Sequence, residues 1–179
     1  MRPDYRFVPV TRADYPMLRR WLAEPHIGGW WGDPGAEVAL LERDLETGGT
    51  DMRIVWTGGP DGQPFAYLQS YPAQAWPAPQ FEGIGPSAMA LDIFLGDPAF
   101  LGQGHAQGFL RQRATELLAE GAEAVLVDPD PKNTRAVATY RKAGFTPVGE
   151  RVDAEGAPVL VMAFGPDSAP GRAEPQEMT

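Results

Sequence analysis

The chain reads as a single α/β (α+β) domain, and three observations carry that reading. Strand-length apolar or alternating runs are interleaved with amphipathic runs of helix length, and glycine, proline or Asn/Asp signals bound each of them. At 179 residues with 43% apolar side chains, one ordinary core accommodates the chain. No stretch approaches the roughly 18 consecutive apolar residues of a membrane helix, and Met1-Arg2-Pro3-Asp4 lacks a signal-peptide core. Residues 1–164 are expected to form the domain. The tail 165–179, proline-containing and poor in apolar side chains, is expected to be disordered.

Taken in order, Tyr5 to Val10 alternates as a first strand. Thr11-Arg12-Ala13-Asp14 has the form of a capping box and opens a helix toward Glu24, with Leu18, Trp21 and Leu22 on one face. Glu37 to Leu45 carries Val38, Leu41 and Leu45 at helical spacing, and Gly48-Gly49 stops it. Met52 to Thr57 and Phe65 to Tyr71 are strands joined around Gly58-Gly59-Pro60-Asp61-Gly62. Pro72 to Pro86 is a proline-rich loop, and a loop of that length is usually functional or mobile. Ala90 to Leu95 is the central strand. The helix after it places Phe109, Leu110, Ala114, Leu117 and Leu118 inward and ends at Gly121. A strand at Ala124 to Val127, a helix at Thr134 to Ala143 closed by Gly144, and strands at Phe145 to Val152 and Val159 to Phe164 complete the chain. No internal repeat is evident.

Composition narrows the function. There are no cysteines and only two histidines, His26 and His105. Disulfides and a cysteine nucleophile are thereby excluded, a histidine-based metal site is improbable, and a cytoplasmic protein without a metal is expected. The formal charge of −9 disfavours nucleic acid and anionic membranes as partners and favours cations in its clefts. A merely solvated acidic surface gives the same number.

The richest stretch is Phe100-Leu101-Gly102-Gln103-Gly104-His105-Ala106-Gln107-Gly108. A strand feeds a glycine-rich turn, which opens a helix. Backbone N–H groups then converge at the positive end of a helix dipole, a cradle for a diphosphate. Small residues at Gly102, Gly104 and Ala106 let a ligand approach the backbone. A plain tight strand-to-helix connection has the same local pattern.

Two later motifs decide between these readings. Gly102-x-Gly104-x-Ala106, then Asn133 after Asp128-Pro129-Asp130-Pro131, then Tyr140-x-Lys142-x-Gly144-Phe145 together resemble the acetyl-CoA-binding core of the GNAT N-acetyltransferases. The resemblance spans about Tyr5 to Phe164. One departure is Leu101, in place of the family's usual Arg or Gln. The resemblance implies a mixed, strongly twisted sheet of about seven strands flanked by about four helices. It also implies acetyl-CoA as co-substrate, held by Gly102, Gln103, Gly104, His105, Ala106 and Gln107. Backbone groups of Phe94, Leu95 and Gly96 would line its pantetheine arm, although Phe94 and Leu95 equally suit a core strand. Asn133 serves either as an N-cap or as a contact to that arm.

Acetyl transfer needs a base and a proton donor. Tyr140 lies about two helical turns after Asn133, so both face one groove, and its hydroxyl suits protonation of a leaving thiolate. Asp92 interrupts an otherwise apolar strand between Leu91 and Ile93. That position is costly unless paired, and it suggests a base; a solvent-facing bulge is the structural alternative.

A second resemblance concerns substrate. Trp21-Leu22-x-x-x-His26-Ile27-x-x-Trp30-Trp31-Gly32, with Tyr67-Leu68-Gln69-Ser70-Tyr71, is similar to aminoglycoside 6′-N-acetyltransferases. It implies 6′-N-acetylation, as in antibiotic resistance, of a small polycationic amine. Asp92, Asp128 and Glu155 would converge on it, with Tyr71, Trp30 and Trp31 at the pocket; the two tryptophans serve equally well as core anchors. Acetyltransferases of hydroxamate siderophore synthesis share the Trp-Trp-Gly and Asp-Pro-x-Pro-x-Asn signals and act on hydroxylamines such as N6-hydroxylysine. A non-catalytic acyl-CoA-binding module is a third reading, disfavoured by Tyr140 and Asp92. A monomer or a homodimer is compatible with the sequence.

Overall fold

Residues 4–165 are described by a computed structural model, so the expected tail lies, Gly165 apart, outside the described residues. The elements are β1 (Tyr5–Pro9), α1 (Tyr15–Leu22), α2 (Pro34–Thr47), β2 (Asp51–Thr57), β3 (Pro64–Pro72), β4 (Met89–Leu95), α3 (His105–Ala119), β5 (Val125–Val127), α4 (Thr134–Ala143), β6 (Thr146–Val152) and β7 (Pro158–Phe164). Local chemistry sets most of these bounds. The Asp14 carboxylate accepts from the Thr11 backbone N–H at 2.8 Å, but the box heads a short 3₁₀ turn at Arg12–Asp14, and α1 starts only at Tyr15. Helix α2 begins earlier than its apolar spacing suggests, because Asp33 Oδ1 caps the N–H groups of Gly35 and Ala36 at 3.0 Å and Pro34 fits the first helical position. Among the described residues no helix is long and apolar enough to cross a membrane.

The strands form one mixed sheet in the order β1-β2-β3-β4-β5-β7-β6. All neighbours are antiparallel except β4 and β5, which run parallel and are connected through α3. Strands β3 and β4 pair from Ala66↔Leu95 to Pro72↔Met89. By contrast, β4 and β5 meet only at Met89↔Val125 and Ala90↔Leu126. The cause lies in the sequence after β5: Pro129 and Pro131 have no N–H to offer a ladder and turn the chain away. From Leu91 onward the β4 edge therefore faces a cleft instead of a strand.

Helices α3 and α4 cover one face of the sheet over Phe65, Leu68, Leu91, Phe109, Leu110 and Phe145. Helices α1 and α2 cover part of the other face, over Leu18, Trp21, Ile54, Tyr67 and Phe94. A third cluster, with Tyr71, Phe81, Ala90, Leu126 and Val161, continues that second face. The Pro72 to Pro86 loop is thus anchored in the core by two residues: Ala73 and Phe81, the latter in a 3₁₀ turn at Pro79–Phe81, are buried. Arg151 on β6 ties the loop down by donating to the carbonyls of Gln80 at 2.9 Å and Glu82 at 2.7 Å. Along β4, side chains alternate between faces. Ala90 belongs to one cluster of the second face and Phe94 to the other, so Asp92 sits at the seam between them.

Candidate active site

The splayed strands enclose a cleft of about 510 Å³, running from Ile93 and Leu95 past the turn at Gly102 to Gly104 and on to Asn133 and Tyr140. At one end is the glycine turn. Gly102 and Gly104 have φ of +72° and +81°, a left-handed backbone that side chains with a Cβ resist. Among the described residues, the N–H groups of residues 102–107 find no acceptor in the chain; the first helical bond of α3 runs from Gly108 N–H to the Gly104 carbonyl at 3.2 Å. Successive unpaired N–H groups at a helix start make an anion site.

Two side chains in this turn are otherwise engaged. Gln103 Nε2 donates to the Ala99 carbonyl at 2.6 Å. His105 Nδ1 lies 3.0 Å from the Tyr5 hydroxyl, its ring packs against Phe65 and Phe100, and burial lowers its pKa, favouring the neutral form. His105 thus offers its backbone, while its imidazole anchors the turn to β1. Ala106 and Gln107 line the cleft directly.

On the β4 side, strand alternation revises one expectation. Met89 N–H points to β5, donating to Ala124 O at 3.0 Å, whereas Gly96 N–H points to β3, donating to Phe65 O at 2.8 Å. By alternation the backbone groups of Ile93 and Leu95 face the cleft and those of Phe94 face β3. Gly96 N–H is therefore unavailable to a ligand, and the residue is small for another reason: a Cβ there would lie 2.0 Å from the Trp21 ring. The Leu95 carbonyl is held at 2.7 Å by His26 Nε2. Ile93 was invisible as a site residue because its side chain is ordinary; only the edge it occupies distinguishes it.

Asn133 plays its capping role, with Oδ1 accepting from Ala136 N–H at 3.1 Å, and it also lines the cleft. Lys132, Arg135 and Lys142 line the same wall. Sequence reading passed over their charges, although four of the chain's 15 Lys and Arg side chains fall within residues 132–142, a concentration that an acidic chain makes conspicuous.

An acidic cluster is built around Asp92, next to Tyr140 in the wall of the cleft. Its Oδ2 accepts from Gln69 Nε2 at 2.7 Å, and Gln69 in turn accepts from the Tyr67 hydroxyl at 2.7 Å. The Tyr71 hydroxyl also bonds to Asp92. Burial raises the Asp92 pKa, against the pull of the Gln69 and Tyr71 hydrogen bonds. Asp92 is thus half-buried and hydrogen-bonded in a regular ladder opposite Gln69, and the bulge alternative does not hold. Asp128, just past β5, accepts from Gln80 Nε2 at 3.1 Å. Burial, then the Asp92 charge, push its pKa up to about 7, with Asp153 adding to the effect. Burial followed by the charges of Asp92 and Asp128 drives the Tyr140 hydroxyl well above the usual tyrosine range. Tyr71 is raised by the same causes, and its ring stacks on Trp76 at 4.9 Å.

The remaining expected residues divide. Trp31 packs edge-on against Phe94 and Tyr67, whereas Trp30 is 47% exposed along the cleft. Glu155 is not brought to the other carboxylates. It is exposed at the tip of the β6–β7 hairpin, where its N–H donates to Asp153 Oδ1 at 2.9 Å. The acid from this turn that acts on Asp128 is Asp153. The hairpin's backbone geometry makes that choice, which spacing alone did not reveal.

Known proteins share this fold. The family model described as acetyltransferase (GNAT) domain matches residues 10–152. An aminoglycoside N(6′)-acetyltransferase type 1 of Klebsiella pneumoniae is 30% identical over 163 residues, covering 86% of this chain and 79% of that protein. The structure of AAC(6′)-Ib in complex with ribostamycin and coenzyme A superposes with a TM-score of 0.80 at 26% identity, over 92% of this chain and 95% of that one. AAC(6′)-Ib with coenzyme A and kanamycin gives 0.79 at 27% identity, over 92% and 96%.

Proposed function

The chain belongs to the GNAT acetyltransferase family and is an acetyl-CoA-dependent N-acetyltransferase, and we propose that its acceptor is an aminoglycoside, acetylated on the 6′-amino group. The observation that carries this reading is a cleft and an acidic cluster that meet at Tyr140. Unpaired N–H groups and cations line the cleft, and half-buried carboxylates with raised pKa values act on Tyr140 in its wall. The first suits the diphosphate of coenzyme A and the second suits an ammonium-rich sugar. The coenzyme A, ribostamycin and kanamycin complexes of AAC(6′)-Ib support the same pairing.

When bound, acetyl-CoA supplies a thioester carbonyl open to attack by an amine. The N–H groups of residues 102–107 hold the diphosphate, and the cleft edge of β4 at Ile93 and Leu95 aligns the arm. Asp92 accepts the proton that the acceptor's ammonium must lose before its nitrogen is nucleophilic. A carboxylate with a raised pKa is better matched to that task near pH 7 than an ordinary aspartate. The Tyr140 hydroxyl stays protonated at working pH and donates to the departing sulfur. Asp128 balances a second positive charge on the acceptor.

The test is acetyl-CoA-dependent thiol release over aminoglycosides, N6-hydroxylysine, polyamines and peptide N-termini, with the acetylated position assigned by NMR. Turnover of aminoglycosides with the acetyl group at the 6′ nitrogen is expected. Turnover of hydroxylysine alone would replace the acceptor class and leave the chemistry standing.

A further inference from the structure

We propose that Gln80 is a positioning residue for acceptor specificity: its side-chain N–H holds the Asp128 carboxylate in place for a second positive charge on the acceptor. The inference rests on the polycationic-acceptor reading above.

Gln80 sits in the 3₁₀ turn that the Pro72 to Pro86 loop lays over the sheet. Its position is fixed from both sides. Phe81, next to it, is 1% exposed in the third apolar cluster, and Arg151 grips the Gln80 and Glu82 carbonyls. The side chain is thus presented by a rigid segment, a requirement for a residue that discriminates between ligands. Gln80 Nε2 donates to Asp128 Oδ2 at 3.1 Å, while Gln80 Oε1 is buried and has no partner. Buried side-chain oxygens are nearly always paired. Closed off from solvent, this one meets no ligand, and the working contact of the amide is the Nε2 bond to Asp128. A polycationic amino sugar brings a second charge for Asp128 to balance; a simple alkyl monoamine does not.

The donor half of the amide has a separate consequence. Asp128 faces the Asp92 carboxylate on β4 and the Asp153 carboxylate of the β6–β7 turn. It also faces the hydroxyls of Tyr71 on β3 and Tyr140 on α4. Against burial and these two negative charges, the Gln80 hydrogen bond is the side-chain contact that favours the ionised form. Removing it makes Asp128 protonate more readily and weakens its hold on a cation.

The experiment compares wild type with Gln80→Leu and Gln80→Glu. In the free protein, carboxyl ¹³C NMR should place the Asp128 midpoint at about 7 in wild type and clearly higher in both variants. With acetyl-CoA affinity unchanged, Gln80→Leu should raise KM for an aminoglycoside at pH 7 by about tenfold, the scale of one hydrogen bond to a charged group. KM for a simple alkyl monoamine should move less than about threefold. The aminoglycoside KM ratio between Gln80→Leu and wild type should shrink from pH 7 to pH 8.5, where Asp128 is ionised in both. An unmoved Asp128 midpoint overturns the holding role. Equal KM changes for both acceptors overturn the specificity role. A wild-type chain inactive on every aminoglycoside sinks the functional reading instead, and the titration still decides whether Gln80 holds Asp128.

Discussion

Replacing Asp128 by Asn should make the unliganded protein more stable while weakening it as a catalyst. Asp128 titrates near 7 instead of the ordinary 3.8, because it is buried beside Asp92. The folded state therefore binds the Asp128 proton more tightly than the unfolded chain does. Below about pH 4 both states are protonated and the site costs nothing. Between about pH 4 and pH 7 the unfolded chain releases the proton first, and native stability falls; above about pH 7 the loss levels off. The interval from 3.8 to about 7, at about 1.4 kcal/mol per pH unit, gives a plateau of about 4 kcal/mol.

Solvent at the cleft mouth screens part of that, and Asn keeps an oxygen for Gln80 to donate to. About 2 kcal/mol of net gain at pH 8 is the expectation. For a domain of this size each kcal/mol shifts Tm by about 2–4 °C, so the gain is about 4–8 °C. Thermal unfolding of both proteins from pH 4.5 to pH 8 measures it, and the difference should grow with pH. A difference independent of pH, or a variant less stable at pH 8, refutes the idea that Asp128 is held charged against its surroundings. The same substitution should raise KM for a polycation more than for a neutral hydroxylamine. Stability is then the quantity traded for binding.

Three further outcomes follow from the same geometry. Gly104→Val puts a β-branched residue at φ +81° with its Cβ 3.1 Å from Gln107 Nε2; calorimetry should show acetyl-CoA binding lost, from an expected micromolar affinity of about −8 kcal/mol. Tyr140→Phe should lower kcat and kcat/KM together by about 10²–10⁴ while acetyl-CoA affinity persists, and wild-type rates in that variant would assign the proton to water. Gly96→Ala forces a methyl into the Trp21 ring; a loss of about 1–3 kcal/mol by denaturant unfolding is expected, and a neutral result would mean α1 shifts freely.

How much of this was legible beforehand differs from element to element. Helix α4 came out of the sequence with its bounds intact, since Asn133 and Gly144 are local signals at its two ends. The glycine turn, the family and the catalytic candidates were readable for the same reason: Gly102-x-Gly104-x-Ala106 and Tyr140-x-Lys142-x-Gly144-Phe145 are contiguous along the chain, and Asp92 announces itself as a charge in an apolar strand. Backbone conformations and motifs that span a few residues are written in the order of side chains.

Tertiary structure alone decided whatever depends on the partner of a given edge or turn. Strand β4 loses β5 after Ala90, and that parting, rather than any side chain, turns Ile93 and Leu95 toward the cleft and Gly96 away from it. The choice of Asp153 over Glu155, the anchoring of the Pro72 to Pro86 loop by Arg151 and the clasp of Gln80 on Asp128 are of the same kind. Each joins segments separated by 25 to 71 residues, and a pKa near 7 for Asp128 exists only once those segments have excluded water from between them.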